Sequence, residues 1–381
     1  MAIIDTYFEE MKANGASDLH MVVGFPPLIR LRGALVQLEH PVLTAESNQE
    51  ILFEILSPEQ QVYLEKNRDF DRAYELKGVG RFRCNFLFQH HGIGAVFRII
   101  PTKILTLDEL KLPEAVKTIA EFTKGLVLVT GPTGSGKSTT LAAIIDYINE
   151  KRDAHIITIE DPLEFVHRNK KCIFTQREIG SHADSFAKAL EVASREDPDI
   201  ILVGEMRDLE TISLALTCAE LGILVFGTLH TNSAPKTIDR VINAFPADQQ
   251  GQTRTMLSES LRAVVAQQLV KTKDEKGRRA AVEILIGSTA LANMIREAKF
   301  SQIDSLIQTG STSGMQSMDE HLMQLIKEGD ITREAAYEKA TDKIYLLEFI
   351  FSIHFGIGSY AGFGILKCLL PKRFYVVFKL I

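Results

Sequence analysis

The chain has 381 residues, 45% of them apolar, and a formal net charge of −6. That length supports two or three domains with full cores, and the negative balance argues against a surface built mainly to neutralise nucleic-acid phosphates. Cys84, Cys172, Cys218 and Cys368 lie far apart with no C-x-x-C pair, so neither a disulfide framework nor a cysteine zinc site is indicated, and a reducing cytosol suits them.

The opening stretch, MAIIDTYFEEMKANG, puts Ile3, Ile4, Tyr7, Phe8 and Met11 on one helical face. It carries acids early, unlike the basic-then-apolar order of a secretory leader. DLHMVVGFPPLIRLRGALVQL and GVGRFRCNFLFQHHGIGAVFRIIP alternate apolar and polar residues between Gly and Pro, the pattern of hairpins in a half-exposed sheet. The segment between them, 46–66, reads as a helix. An α+β domain is therefore expected over 1–100, followed by a polar linker over 101–124. His90 and His91 are adjacent, so in a strand they point to opposite faces; they read as structural and not as a metal pair.

Next comes LVLVTGPTGSGKSTTLAAII, from Leu126 to Ile145. It meets the pattern G-x-x-x-x-G-K-[ST] with Gly131, Gly136, Lys137 and Ser138, with Pro132, Thr133, Gly134 and Ser135 between them and Thr139 after. Leu126 to Val129 reads as a buried strand, and Leu141, Ile144, Ile145 and Ile148 recur at helical spacing. A helix start thus faces the loop, where unpaired N–H groups favour a polyanion. Lys137 supplies a full charge for the outer phosphates, and the Ser138 hydroxyl can ligate Mg²⁺. HIITIED, DIILVGE and LVFGTLHT then alternate with helical stretches at 185–194 and 208–220. A mostly parallel sheet covered on both faces follows, an α/β core expected over 125–288.

Splitting a phosphate anhydride requires a placed water, a metal, and positive charge against the transferring group. Glu205 ends the strand DIILVG at the edge where open α/β sheets bind ligands, and it is the candidate for placing water. Glu160, Asp161 and Glu164 end another strand, and Glu160 and Glu205 can hold the metal through water. His230 ends a third strand, within reach of the outer phosphate by hydrogen bond. Arg81, Arg83 and Arg98 lie on the amino-terminal sheet, far along the chain from the loop. Arg81 and Arg83 share a strand face by the period of two.

Residues 289–343 read as helical, with Ser317 and Glu320 forming a capping box and Gly329 stopping that helix. The remainder, 344–381, differs in kind. From Phe349 to Leu366 it contains no Asp, Glu, Lys or Arg, which is barely a bilayer span, and four glycines weaken it as an isolated helix. Membrane contact, a packed or partner-binding tail, and a terminus foreign to the working protein all stay open.

The set GPTGSGKSTT, IEDPLEFVH, DPDIILVGEMRD and VFGTLHT, with GASDLH near the start, resembles the secretion ATPase superfamily. Within it, the sequence is similar to the PilT-type type IV pilus retraction ATPases over about residues 1–343. The resemblance implies a PAS-like α+β amino-terminal domain and a RecA-like P-loop ATPase domain with a helical carboxy-terminal part. It implies a homohexamer that uses ATP and Mg²⁺ at the cytoplasmic, inner-membrane base of the pilus machine. A membrane platform protein, other pilus ATPases and no nucleic acid are the implied partners. Carried over, 131–139 bind phosphate, Glu160 and Glu164 form an acidic box, and Glu205 activates water. His230 belongs to a histidine box, and Arg83 and Arg98 offer charge to the nucleotide. Two positions depart: Ile223 stands where the family has a second His, and Ala292 where a retraction-associated motif has Arg. The assembly or secretion branch, a retraction paralogue, a RecA-like nucleic-acid motor and a nucleotide-gated binding module are the alternatives.

Overall fold

The computed structural model describes residues 2–31, 33–100 and 103–355. It divides into two compact units. One holds the amino-terminal residues through Ile104 together with Ile159–Arg168 and Gln176–Ala189. The other holds Leu105–Thr158, Asn169–Thr175 and the chain from Leu190.

The amino-terminal unit begins with α1 (Ile3–Ala13), then β1 (Asp18–Met21), β2 (Leu28–Leu31) and β3 (Ala34–Gln37). It continues through α2 (Ala45–Phe53) and α3 (Pro58–Asn67) to β4 (Asp69–Leu76), β5 (Gly80–Gln89) and β6 (Gly92–Ile100). The sheet order is β3-β2-β1-β6-β5-β4. Alternation on β5 sends Phe82, Cys84 and Phe86 inward and leaves Arg81 and Arg83 on the other face. Phe8 of α1 stacks on Phe82 at 4.1 Å and meets Phe97 edge-on at 5.1 Å. Ile4, Tyr7 and Met11 join that core as the helical period requires, but Ile3 lies at its edge and is exposed.

Two readings are corrected here. Residues 46–66 form two helices, because Ser57 caps α3 through Gln60 and Pro58 at its first turn cannot continue α2. His90 and His91 occupy the turn between β5 and β6 instead of a strand, their rings edge-on at 4.9 Å. Among the described residues no group of three His, Cys, Asp or Glu could hold a metal.

The second unit carries α4 (Glu114–Ala120), β7 (Gly125–Thr130) and α5 (Lys137–Lys151). After β8 (His155–Glu160), β9 (Ile173–Glu178) and α6 (Phe186–Ala193), whose residues are divided between the two units, it continues with β10 (Ile200–Val203), α7 (Leu209–Glu220) and β11 (Leu224–Leu229). Then come α8 (Ala234–Asn243), α9 (Gln250–Ser260), β12 (Leu261–Lys271) and β13 (Arg278–Ile286). The sheet order is β13-β12-β7-β11-β10-β8-β9. β12, β7, β11 and β10 run parallel, and their buried apolar residues need cover on both faces. The parallel set gains an antiparallel edge, since β13 pairs with β12 over nine residue pairs.

Five helices and short 3₁₀ turns complete its described part: α10 (Thr289–Arg296), α11 (Ile303–Thr309), α12 (Met318–Glu328), α13 (Arg333–Lys339) and α14 (Lys343–Phe355). The Ser317–Glu320 capping box forms, and Gly329 ends α12 in the left-handed region at φ 76°. Leu346 and Ile350 of α14 are buried with Leu322, Leu325 and Ala336. No described helix is long and apolar enough to cross a membrane. The rest of the apolar stretch, 356–381, lies outside the described residues.

Candidate functional site

The phosphate loop is shaped by contacts that only glycine permits. Gly131 has φ 150°, and a Cβ there would meet Gln267 O at 2.3 Å and Ser135 Oγ at 2.5 Å. Gly136, at φ 86°, is the N-cap of the fifteen-residue α5, so no cap side chain takes its first amides. Lys137 Nζ donates to Gly131 O at 2.9 Å and Pro132 O at 3.3 Å, which holds the ammonium over the loop. Ser135 Oγ is buried and has no protein partner, and an anion seated in the loop would supply one. These residues fit a nucleotide's phosphates. Ser138, on the first turn of α5, can add one oxygen to Mg²⁺; with no protein cluster of three metal ligands among the described residues, the phosphates would supply the others.

Sequence reading missed the brace behind this loop. Gln267 of β12, 1% exposed, donates from Nε2 to Ser135 O at 2.7 Å and accepts from Thr140 Oγ1 at 2.8 Å. It sits in the apolar run LRAVVAQQLV, whose pairing with β7 is set by tertiary structure. A cleft of about 390 Å³ opens beside the loop, lined by Leu110, Leu112, Thr139, Thr140, Leu269 and Arg278. Arg279 fixes its wall by bonding Asp330 at 2.8 Å and the carbonyls of Leu110 and Lys111.

Because β7, β11 and β10 are parallel neighbours, the phosphate loop, His230 and Glu205 follow their carboxyl ends on one sheet edge. His230 Nε2 lies 2.9 Å from Glu205 Oε1, and Arg207 grips the same carboxylate with Nε and Nη2, each at 2.6 Å. Arg207 is a second residue that sequence reading missed. Burial opposes ionisation of Glu205, but the Arg207 bond and charge, with His230, hold its carboxyl below the usual range. The Met206 amide donates to Thr228 O at 3.0 Å, tying this turn to β11.

A hydroxyl chain joins the phosphate strand to the loop that carries His230. Thr237 of α8 donates to Ser233 O at 2.7 Å, so Thr130 at 3.3 Å and Thr231 at 2.7 Å donate into Thr237 Oγ1. Ser233 gives α8 no side-chain cap. Glu283 of β13 accepts the Ala234 amide at 2.7 Å instead. Burial, opposed by that bond, pushes the Glu283 carboxyl up to about 7.

The remaining candidates belong to the amino-terminal unit. Glu160 ends β8 and accepts from the Glu164 amide at 3.3 Å. Arg98 pairs with Asp18 at 2.8 Å and Arg83 with Asp71 at 3.7 Å, both arginines largely exposed. Ile223 precedes β11, at the end opposite His230 and roughly 20 Å from it along the strand; its change from His leaves the Glu205–His230 pair untouched. Ala292 is half-buried on α10, where Arg296 still reaches Ser258 Oγ at 3.0 Å.

The Type II/IV secretion system protein family matches residues 2–346. The type IV pilus retractation ATPase PilT of Pseudomonas aeruginosa is 53% identical over 326 residues, covering 86% of this chain and 94% of that protein. The twitching motility protein of Neisseria gonorrhoeae is 53% identical over 314 residues, 82% of this chain and 84% of that one. A crystal structure of the pilus retraction motor PilT with bound ADP superposes with a TM-score of 0.84 at 45% identity. It covers 91% of this chain and 98% of that chain. The PAS-like and RecA-like reading of the fold accords with that likeness, and with the site described above the chain belongs to the Type II/IV secretion system protein family, its similarity running to the PilT-type retraction ATPases.

Proposed function

We propose that this chain is a motor ATPase that hydrolyses ATP to drive type IV pilus retraction. One observation carries the chemistry: a glycine-built phosphate loop shares a sheet edge with Glu205 held by His230 and Arg207. Lys137 and the amides of α5 bind the phosphates, and the cleft beside Leu269 takes the base. Mg²⁺, when bound, offsets charge on the phosphates and polarises the one to be cleaved. Glu205, released from Arg207, orients the attacking water and accepts its proton, while His230 keeps the carboxylate aimed at the phosphate edge. Glu160 and Glu164 supply further acid, and Arg83 and Arg98 offer charge to a neighbouring subunit's nucleotide in a homohexamer. Coupling to work, docking on a membrane platform protein and a place at the cytoplasmic base of the pilus belong to this proposal.

The test combines chemistry and movement. Purified protein should release phosphate from ATP with Mg²⁺, without stimulation by polynucleotide. A strain lacking its own retraction ATPase should regain twitching and lose excess surface pili when it expresses the chain. Turnover that requires DNA or RNA would favour a nucleic-acid motor, and turnover with persistent hyperpiliation would favour the assembly branch or a paralogue.

A further inference from the structure

Glu178, the last residue of β9, is a buried carboxylate to which the chemistry above gives no part. Its Oε2 accepts from Arg81 Nη2 at 2.8 Å and from the Leu163 amide at 3.1 Å, and its Oε1 accepts from Ser181 Oγ at 3.3 Å. The next amide, that of Ile179, donates to Glu160 O at 2.9 Å. The turn from Glu160 to Glu164 is thus tied twice to the end of β9 and, through Arg81, to β5 of the amino-terminal sheet. All of these residues fall in one compact unit.

Arg81 is unlike its neighbours. Its side chain is 16% exposed, against 46% for Arg83 and 70% for Arg98. Both partners of the Arg81–Glu178 pair are therefore largely out of water, where a charge-assisted bond is strong and a stranded partner is costly. Arg83 can leave its exposed Asp71 partner at little cost; Arg81 cannot leave a carboxylate that is 7% exposed. Glu164, meanwhile, lines a cleft of about 480 Å³ together with Arg81 and Arg168. The cleft leaves space beside the acidic turn, and its bonds to β9 are among the contacts that orient it.

We infer that Glu178 and Arg81 are positioning residues, a clamp that fixes the Glu160–Glu164 turn to the amino-terminal sheet so that the turn moves with that sheet during turnover. The inference rests on the ATPase reading of Glu160 and Glu164. It assigns Arg81 to orientation of the acidic turn, and charge donation to Arg83 and Arg98 alone.

The experiment uses the full chain with Arg81→Ala, Arg81→Lys, Glu178→Gln and the Arg81→Ala/Glu178→Gln double variant. Hydrogen exchange should rise about tenfold or more at 161–166 in the alanine and glutamine variants, while the phosphate-loop peptide 131–139 stays unchanged. The same variants should lose about tenfold in kcat with KM for ATP within about twofold, as misorientation without lost binding requires. The double variant should be no worse than the weaker single one, the signature of one shared interaction, and Arg81→Lys should recover part of the loss. Unaltered exchange at 161–166, wild-type kcat in the variants, or an equal rise in both peptides would each overturn the clamp. If the wild-type chain itself hydrolyses no ATP, the motor reading fails, and the exchange data still decide whether the clamp exists.

Discussion

Gln267 and Ser135, 132 positions apart, share a 2.7 Å hydrogen bond that fixes the phosphate loop from behind. Replacing Gln267 with Leu keeps the volume but leaves the Ser135 carbonyl and the Thr140 hydroxyl buried without partners, each costing about 1–3 kcal/mol. If about 1.4 kcal/mol of this reaches the bound state, Kd for a fluorescent ATP analogue rises tenfold. An unchanged Kd would show that the loop holds its shape without the brace.

Lys137→Ala should weaken nucleotide binding, whereas Glu205→Gln should bind normally and lose about 10²- to 10⁴-fold in turnover, the range for a removed general base. Equal loss of both properties in both variants would refute that division. The pH profile adds a second reading. Arg207 and His230 hold the Glu205 carboxyl low against burial in the free protein, so the acid limb of kcat/KM lies at lower pH than a free glutamate would give. Arg207→Ala should move that limb upward.

Glu283 and His321 oppose one another in acid. Glu283 titrates near 7 against an unfolded value of 4.5, so its protonated form is favoured in the fold. Its contribution is fully present below 4.5 and lost as pH rises through 7, on the order of 3 kcal/mol. Burial lowers His321 to about 4 from 6.5, and the neutral ring accepts the Val282 amide at Nδ1, 2.9 Å away. Its contribution is present above 6.5 and lost as pH falls through 4. The slopes nearly cancel between about 4.5 and 6.5 in the wild type. Thermal unfolding of Glu283→Gln should therefore show Tm rising with pH across that window, and His321→Asn should show it falling. Parallel curves for the two variants would exclude this balance.

Arg98 is itself exposed but bridges to a buried Asp18, so a neighbouring phosphate can take it over only if Ser17 and Arg30 keep that carboxylate satisfied. Subunits carrying Arg98→Ala or Arg83→Ala, mixed with Lys137→Ala subunits, should recover ATPase at intermediate ratios if charge is donated across the subunit boundary. A flat response at every ratio would leave the two arginines as surface ion pairs.

Local signals were readable along the chain. The strand–loop–helix of the phosphate site follows from three glycines and a change of period, and the α12 capping box from Ser317 and Glu320. Pairing across the chain was not readable. Gln267 and Glu283 lie on β12 and β13, apolar runs whose antiparallel pairing is decided by tertiary packing, and both became functional candidates only through partners about 50 or more positions away. Glu205 and His230 were each found at a strand end, but their contact depends on the order β11-β10, which periodicity does not encode. The break at Ser57–Pro58 and the turn at His90–His91 had sequence cues, a cap followed by Pro and a following Gly, that the apolar patterning outweighed.

The seating of α14 bears on how the apolar carboxy terminus can be studied. With Leu346, Leu347 and Ile350 inserted among the last helices, a stop codon after Lys343 would lay bare a greasy seam on α12 and α13, and the resulting precipitation would say nothing about residues 356–381. A stop after Phe355 keeps the seam closed and isolates what those final residues contribute.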